Sequence, residues 1–247
     1  YNMNFSFDQN GKPLSTYYIS KIHARNDYKW INACHEVLKY IGKDKEEIET
    51  TNSFCINHLP DKTKERNYLP MLEKAVLEDE NNDRNMHYLG REYMYNKEYQ
   101  KAIDTLIKHT KMKNTWNEEV GASMRFISRC YKEINRMDEA EMWLYKAVQV
   151  TPKTKEVFVE LGILYYELNE YQKAIDFLEY AITLKDKSEK FINEEFAWNE
   201  LSNDILSICY IKIGNKEKAI ENAKEALNIN PNNNRIKNNL KIFENVK

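Results

Sequence analysis

The sequence specifies a mainly α chain of stacked helix–turn–helix units, and three features say so. An apolar-small-x-x-Tyr cluster occurs four times, as Leu89-Gly90-x-x-Tyr93, Ile127-Ser128-x-x-Tyr131, Leu161-Gly162-x-x-Tyr165 and Leu206-Ser207-x-x-Tyr210. An alanine stands nine residues after each Tyr, at Ala102, Ala140, Ala174 and Ala219. A further alanine follows in three copies, at Ala147, Ala181 and Ala226, with Pro152 and Pro231 closing two of them. The small residue lets two helices approach closely, the Tyr fills the space between them, and the alanines sit where a larger side chain would clash. Self-similarity at a fixed register is the mark of a repeat array.

This pattern resembles the tetratricopeptide repeat family, most fully over residues 158–181. The resemblance implies an α-α superhelix. The departures are Ser128 and Ser207 in place of Gly, and His109 where a small residue is expected. The successive intervals between Tyr93, Tyr131, Tyr165 and Tyr210 are 38, 34 and 45, so only one has the standard repeat length. The extra residues fall near 113–117 and 187–197, between units, where insertions map to loops.

Taken in order, residues 1–60 are expected to be β-rich. Asn4-Phe5-Ser6-Phe7 alternates, Asn10-Gly11 supplies a turn with positive φ, and residues 16–22 resume an extended pattern, which reads as a hairpin. A turn at Arg25-Asn26-Asp27 precedes a strand over 28–40, and residues 51–57 read as a further short strand. Strands so few cannot make a stable core unaided; they lean on the helices or belong to a larger sheet. Residues 61–81 are expected to form a connecting helix, a half repeat, starting near Pro70 because proline is tolerated only in a first turn. Four helix pairs then occupy 82–230, and 231–247 form the capping helix that such arrays need for solubility. The acidic run Glu78-Asp79-Glu80-Asn81-Asn82-Asp83 reads as carboxylates favouring a helix N-terminus, with a cation site as the alternative.

A net charge of −2 with 31% charged residues gives no electrostatic case for nucleic acid. No apolar run approaches the roughly 20 residues needed to span a bilayer, and no signal-peptide pattern is seen. The four cysteines form no C-x-x-C pair and read as free thiols, so a cytoplasmic location is expected. The chain opens on Tyr1 within a predicted strand, which suggests a piece of a longer protein. Phosphate-binding, dinucleotide-binding, nucleophile-elbow and H-E-x-x-H motifs are all absent, and the five histidines (His23, His35, His58, His87, His109) have no metal-ligand spacing.

One stretch stands above that background: Tyr28-Lys29-Trp30-Ile31-Asn32-Ala33-Cys34-His35-Glu36-Val37-Leu38. It resembles the end of the catalytic domain in family-2 glycosyltransferases, where an aromatic strand runs into a His-Glu pair. Phe7-Asp8-x-x-Gly11, Lys21-x-x-x-Arg25, Ile56-Asn57-His58, Arg66-Asn67-Tyr68-Leu69, Tyr88-Leu89-Gly90-Arg91-Glu92 and Trp116-Asn117-Glu118-Glu119 are similar to bacterial members that carry tetratricopeptide repeats behind the transferase domain. The resemblance implies that residues 1–60 come from the edge of an α/β glycosyltransferase domain. It further implies a nucleotide sugar and a divalent metal, Mn²⁺ or Mg²⁺, in the intact parent. His35 would be a metal ligand, Glu36 a catalytic residue that orients His35 or lines the site, and Trp30 an acceptor-binding residue. The metal would offset charge on the leaving diphosphate. Family members hold that metal mainly through Asp-x-Asp, and no two aspartates here stand two apart. The chain alone is therefore expected to be inactive and to need no cofactor.

The competing expectation is binding. By the tetratricopeptide resemblance, the concave groove would present His87, Arg91, Arg125, Arg129 and Lys132, then Val159, Ile163 and Tyr166, then Asp204. Guanidiniums suit carboxylates or phosphates because their planar donors bind in a bidentate manner. A face neutralised by Glu92, Glu118, Glu119 and Glu133 is the bland alternative. The partner would be a protein or peptide, the acceptor protein included, or a second copy of the chain. Two readings stand: the C-terminal region of a repeat-bearing glycosyltransferase, or a stand-alone scaffold without enzymatic activity.

Overall fold

The computed structural model describes residues 1–7, 11, 13–20, 22–31, 36–59, 67–188 and 191–245. The chain divides into two compact units, Tyr1–Glu119 with Ser188–Ile192, and Val120–Lys187 with Asn193–Lys247.

The first unit opens on strands. β1 (Asn2–Phe7) pairs antiparallel with β2 (Pro13–Tyr18) and parallel with the three-residue β5 (Cys55–Asn57). Gly11 carries the expected positive φ, +79°; Asn10 lies outside the described residues. β2 covers Pro13–Tyr18, and the extended pattern expected over 16–22 does not continue as strand past Tyr18; Ile19 N–H donates to the carbonyl of Tyr1. The single strand expected over 28–40 is instead an antiparallel pair, β3 (Tyr28–Ile31) and β4 (Val37–Tyr40). Cross-strand partners Tyr28 and Tyr40 bring their rings to 5.2 Å, the kind of pair that stabilises a two-stranded ribbon. Among the described side chains of residues 1–59, none is buried.

Helices make the rest. α1 (Leu69–Glu78) has Pro70 in its first turn, where the missing N–H costs nothing. α2 (Asp83–Tyr95) is capped by the Asn82 side chain, which accepts from Asn85 N–H. α3 (Tyr99–Thr110) pairs with α2, and α4 (Asn117–Glu133) crosses from the first unit into the second. The second unit continues with α5 (Met137–Val150), α6 (Lys155–Glu167), α7 (Tyr171–Thr183), a 3₁₀ turn at Glu195–Ala197, α8 (Leu201–Lys212), α9 (Lys216–Ile229) and α10 (Asn234–Asn245). The chain is thus mainly α, with helix pairs following the predicted repeat register.

The constant Tyr-to-Ala spacing has a backbone origin. In each helix pair the residue four after the repeat Tyr has positive φ: Lys97, Asn135, Asn169 and Gly214, between +58° and +82°. The next N–H reaches back to the carbonyl of the Tyr itself: Glu98 to Tyr93, Arg136 to Tyr131, Glu170 to Tyr165 and Asn215 to Tyr210, at 2.8 or 2.9 Å. The left-handed residue donates to the carbonyl three before it, as Asn169 does to Tyr166. These paired bonds are Schellman terminations, and they set where the second helix starts.

Side chains complete the register. An added Cβ on Gly162 would stand 2.4 Å from Leu178 Cγ, and one on Gly90 would stand 2.5 Å from Leu106 Cγ, so both helix pairs close on a missing side chain. Ala102, Ala140, Ala174 and Ala219 are completely buried. Three of the repeat tyrosines also donate their hydroxyl to a Glu on the preceding element: Tyr93 to Glu73 of α1 at 2.7 Å, Tyr165 to Glu141 of α5, and Tyr210 to Glu179 of α7. α1 serves α2 as the second helix of a preceding repeat would.

Candidate functional site

The expected groove residues fall in both units. In the first unit His87 is buried, its ring 5.4 Å from that of Tyr88, and the guanidinium of Arg91 lies 4.4 Å above the Tyr88 ring. In the second unit Arg125, 2% exposed, sits inside the protein. Its Nη1 donates to Glu160 Oε1 at 2.9 Å and to Glu194 Oε1 at 2.6 Å. Arg129 donates to the same two carboxylates, at 2.5 and 2.8 Å, and lies over Phe126 and Phe196. Lys132 pairs with Glu167 at 2.6 Å. Tyr166 is half-buried with its ring 6.5 Å from Tyr171, Val159 is buried, and buried Asp204 accepts from Arg235.

Two guanidiniums therefore meet two carboxylates, and the row is internally neutralised. Its counter-charges are Glu160, one repeat on, and Glu194, from the insertion after α7. The sequence had offered Glu92, Glu118, Glu119 and Glu133. Burial pushes the Glu194 carboxyl up, but the Arg125 and Arg129 guanidiniums outweigh it and hold the group below the usual carboxylate range. The insertion is fastened by Glu156, a buried residue of α6 whose Oε1 accepts from the backbone N–H of Glu194 and the indole N–H of Trp198, both at 3.0 Å. A segment read as a tolerated loop thus supplies part of the site.

What the network frames is a pocket of about 280 Å³. Ser128, Arg129 and Lys132 of α4, Leu144 of α5, Glu160 and Ile163 of α6, Phe196 of the insertion and Leu201 of α8 line it. Leu144, Ile163, Phe196 and Leu201 give it apolar walls. Ser128 Oγ is buried and has no hydrogen-bond partner among the described residues. Such a site, apolar with a few fixed polar groups, suits a partner's side chain with its adjoining amide.

The residues assigned by the transferase resemblance are placed differently. His35 lies outside the described residues. Trp30, on β3, is 42% exposed with its ring edge-on to His23 at 6.1 Å, and Glu36 is exposed just before β4. A second cluster escaped sequence reading: Asp83, His109 and Glu119, from three different helices of the first unit, each offer a ligand atom within 4.8 Å of the others. The signal available was His109 itself, a large residue at a small-residue position.

Comparison with known proteins agrees with this architecture. Residues 154–247 match the family profile of the prolyl 4-hydroxylase peptide-substrate-binding domain, and residues 126–154 that of the tetratricopeptide repeat. Lipopolysaccharide assembly protein B of Escherichia coli K12 is 26% identical over 124 residues, 49% of this chain and 31% of that protein, so the chain spans about a third of its relative's length. Among solved structures, MamA superimposes with a TM-score of 0.52 at 22% identity, covering 65% of this chain and 79% of that one. YrrB, described as a tetratricopeptide protein with an unusual peptide-binding site, gives 0.53 at 17% identity, covering 70% and 81%. The chain carries tetratricopeptide repeats, and at these identities the structures speak for the fold alone.

Proposed function

We propose that this chain is a peptide-binding module, and that the pocket between α4, α6 and α8 takes an apolar side chain from an extended segment of a protein partner. The observation that carries this reading is the pocket's chemistry: four apolar walls, an unsatisfied Ser128 hydroxyl, and arginines already matched by Glu160 and Glu194. Neutralised guanidiniums favour shape and hydrogen bonding over charge as the basis of selection. The profile match over 154–247, which spans Glu160, Ile163, Phe196 and Leu201, supports a peptide as the ligand. The experiment is selection of peptides from a displayed random library on the whole chain. Selected peptides should share an apolar anchor, and Ile163→Lys should weaken them by about tenfold or more, as loss of a buried anchor contact does. Peptides that bind this variant as tightly as wild type would place the site elsewhere.

A second reading concerns what the module serves. We infer that residues 1–59 continue into a larger sheet, that of a family-2 glycosyltransferase whose acceptor protein the repeats recruit. Two observations favour it. The Trp30 to Glu36 stretch resembles that family, and none of the described side chains before residue 60 is buried. In that parent His35 and Glu36 would face a Mn²⁺- or Mg²⁺-bound nucleotide sugar, with Trp30 near the acceptor. No described helix is long and apolar enough to cross a membrane. Free thiols at Cys55, Cys130 and Cys209 support a reducing compartment such as the cytoplasm. The chain by itself is expected to transfer no sugar from any nucleotide sugar with either metal, whereas the product of the complete gene should. A complete gene without a nucleotide-sugar domain and Asp-x-Asp would leave a stand-alone scaffold, binding a partner or a second copy of itself.

A further inference from the structure

We propose that Asp83, His109 and Glu119 bind a divalent first-row transition-metal ion within the first unit. The three residues come from the first turn of α2, the last turn of α3 and the first turn of α4. Their candidate ligand atoms all lie within 4.8 Å of one another. Ligands around a metal at about 2.0–2.2 Å stand roughly 3.0–3.5 Å apart, so small side-chain rotations close the set. One imidazole with two carboxylates suits Zn²⁺, Co²⁺ or Mn²⁺ better than Ca²⁺ or Mg²⁺, which prefer an all-oxygen shell.

Each carboxylate has a plainer explanation by itself, since an acid in a first helical turn is favoured by the helix dipole. That account does not explain why the two converge on an imidazole with no solvent exposure. Nor does it explain the imidazole. The equivalent positions of the other three repeats are Ala147, Ala181 and Ala226, all completely buried, and the first repeat alone puts a large polar ring there. The His87 ring stands 5.3 Å from it, adding a second imidazole to the same neighbourhood.

The local charge points the same way. Glu119 is 4% exposed, and Arg84 Nη1 binds its Oε1 at 3.1 Å. Asp83 brings a second carboxylate to the same point, and a cation there would relieve the crowding of the two.

The test is titration of the whole chain with Co²⁺, followed by absorption, and with Zn²⁺, followed by thermal unfolding. Wild type should take up one Co²⁺ with a nitrogen–oxygen spectrum free of thiolate charge-transfer bands, and its unfolding temperature should rise with Zn²⁺ through linkage. His109→Ala restores the residue type of the other repeats, and Asp83→Asn changes a partly exposed group. Each should lower Co²⁺ affinity by at least about tenfold, the loss that even an outer-shell partner brings. Circular dichroism should show both variants still helical. Wild-type affinity in both variants, or a thiolate spectrum in wild type, would overturn the proposal, the latter by pointing to a cysteine ligand.

Discussion

Replacing Tyr165 with alanine is expected to lower the free energy of unfolding by about 3–5 kcal/mol, the usual loss for a buried aromatic truncated to Ala. Tyr165 is 1% exposed, and its ring stacks on Phe177 at 5.5 Å with 5° between the planes. Its hydroxyl donates to Glu141 and lies 2.8 Å from that of Tyr145. The substitution empties the space between α6 and α7 and strips a donor from a half-buried carboxylate. In a quasi-linear array each unit relies on its neighbours, so the second unit should weaken as a whole. Urea denaturation against exposed Lys185→Ala is the measurement; equal midpoints for the two variants would contradict the packing described here.

Arg125→Met should cost about 3 kcal/mol or more at neutral pH, because breaking a buried pair leaves uncompensated charge. Glu160 and Glu194 would keep only Arg129. The pH dependence has a definite sign. Glu194 is held below its ordinary value in the folded protein, so it contributes stability above the unfolded carboxylate pKa and loses it as pH falls through the folded one. Without Arg125 that depression shrinks. The deficit of the variant should therefore be largest near pH 7 and narrow below about pH 4, where carboxylates protonate even when unfolded. Parallel urea titrations at the two pH values decide it, and a deficit independent of pH would mean that lost packing, not lost charge, is responsible.

Legibility in the sequence followed the range of the interaction. The helix pairs could be read because a small residue, a Tyr and an Ala within thirteen consecutive residues carry the whole unit. The ion network could not: Arg125 and Glu194 stand 69 residues apart, and proximity along the chain suggested four other glutamates. One of those, Glu119, does pair with an arginine, but with Arg84 of the first unit. His109 was visible as an exception to the repeat, yet its meaning depends on two carboxylates that only the fold delivers. The β3–β4 pair was missed because no Gly or Pro between Ile31 and Val37 marks a reversal.

The repeat tyrosine supplies both the ring that fills its helix pair and the carbonyl that terminates the first helix, and this settles where the chain can change length. One residue added between Tyr165 and Glu170 would carry the ring, the left-handed Asn169 and the second helix out of phase together. Residues 111–115 and 184–188 carry no such double duty, and it is between units that the intervals vary, while those within them do not. A gene of this kind can gain or shed codons at those junctions and keep every repeat intact. The same places would accept a spliced epitope or reporter, provided that in the second junction the graft ends before Glu194, whose backbone and carboxylate are both already taken.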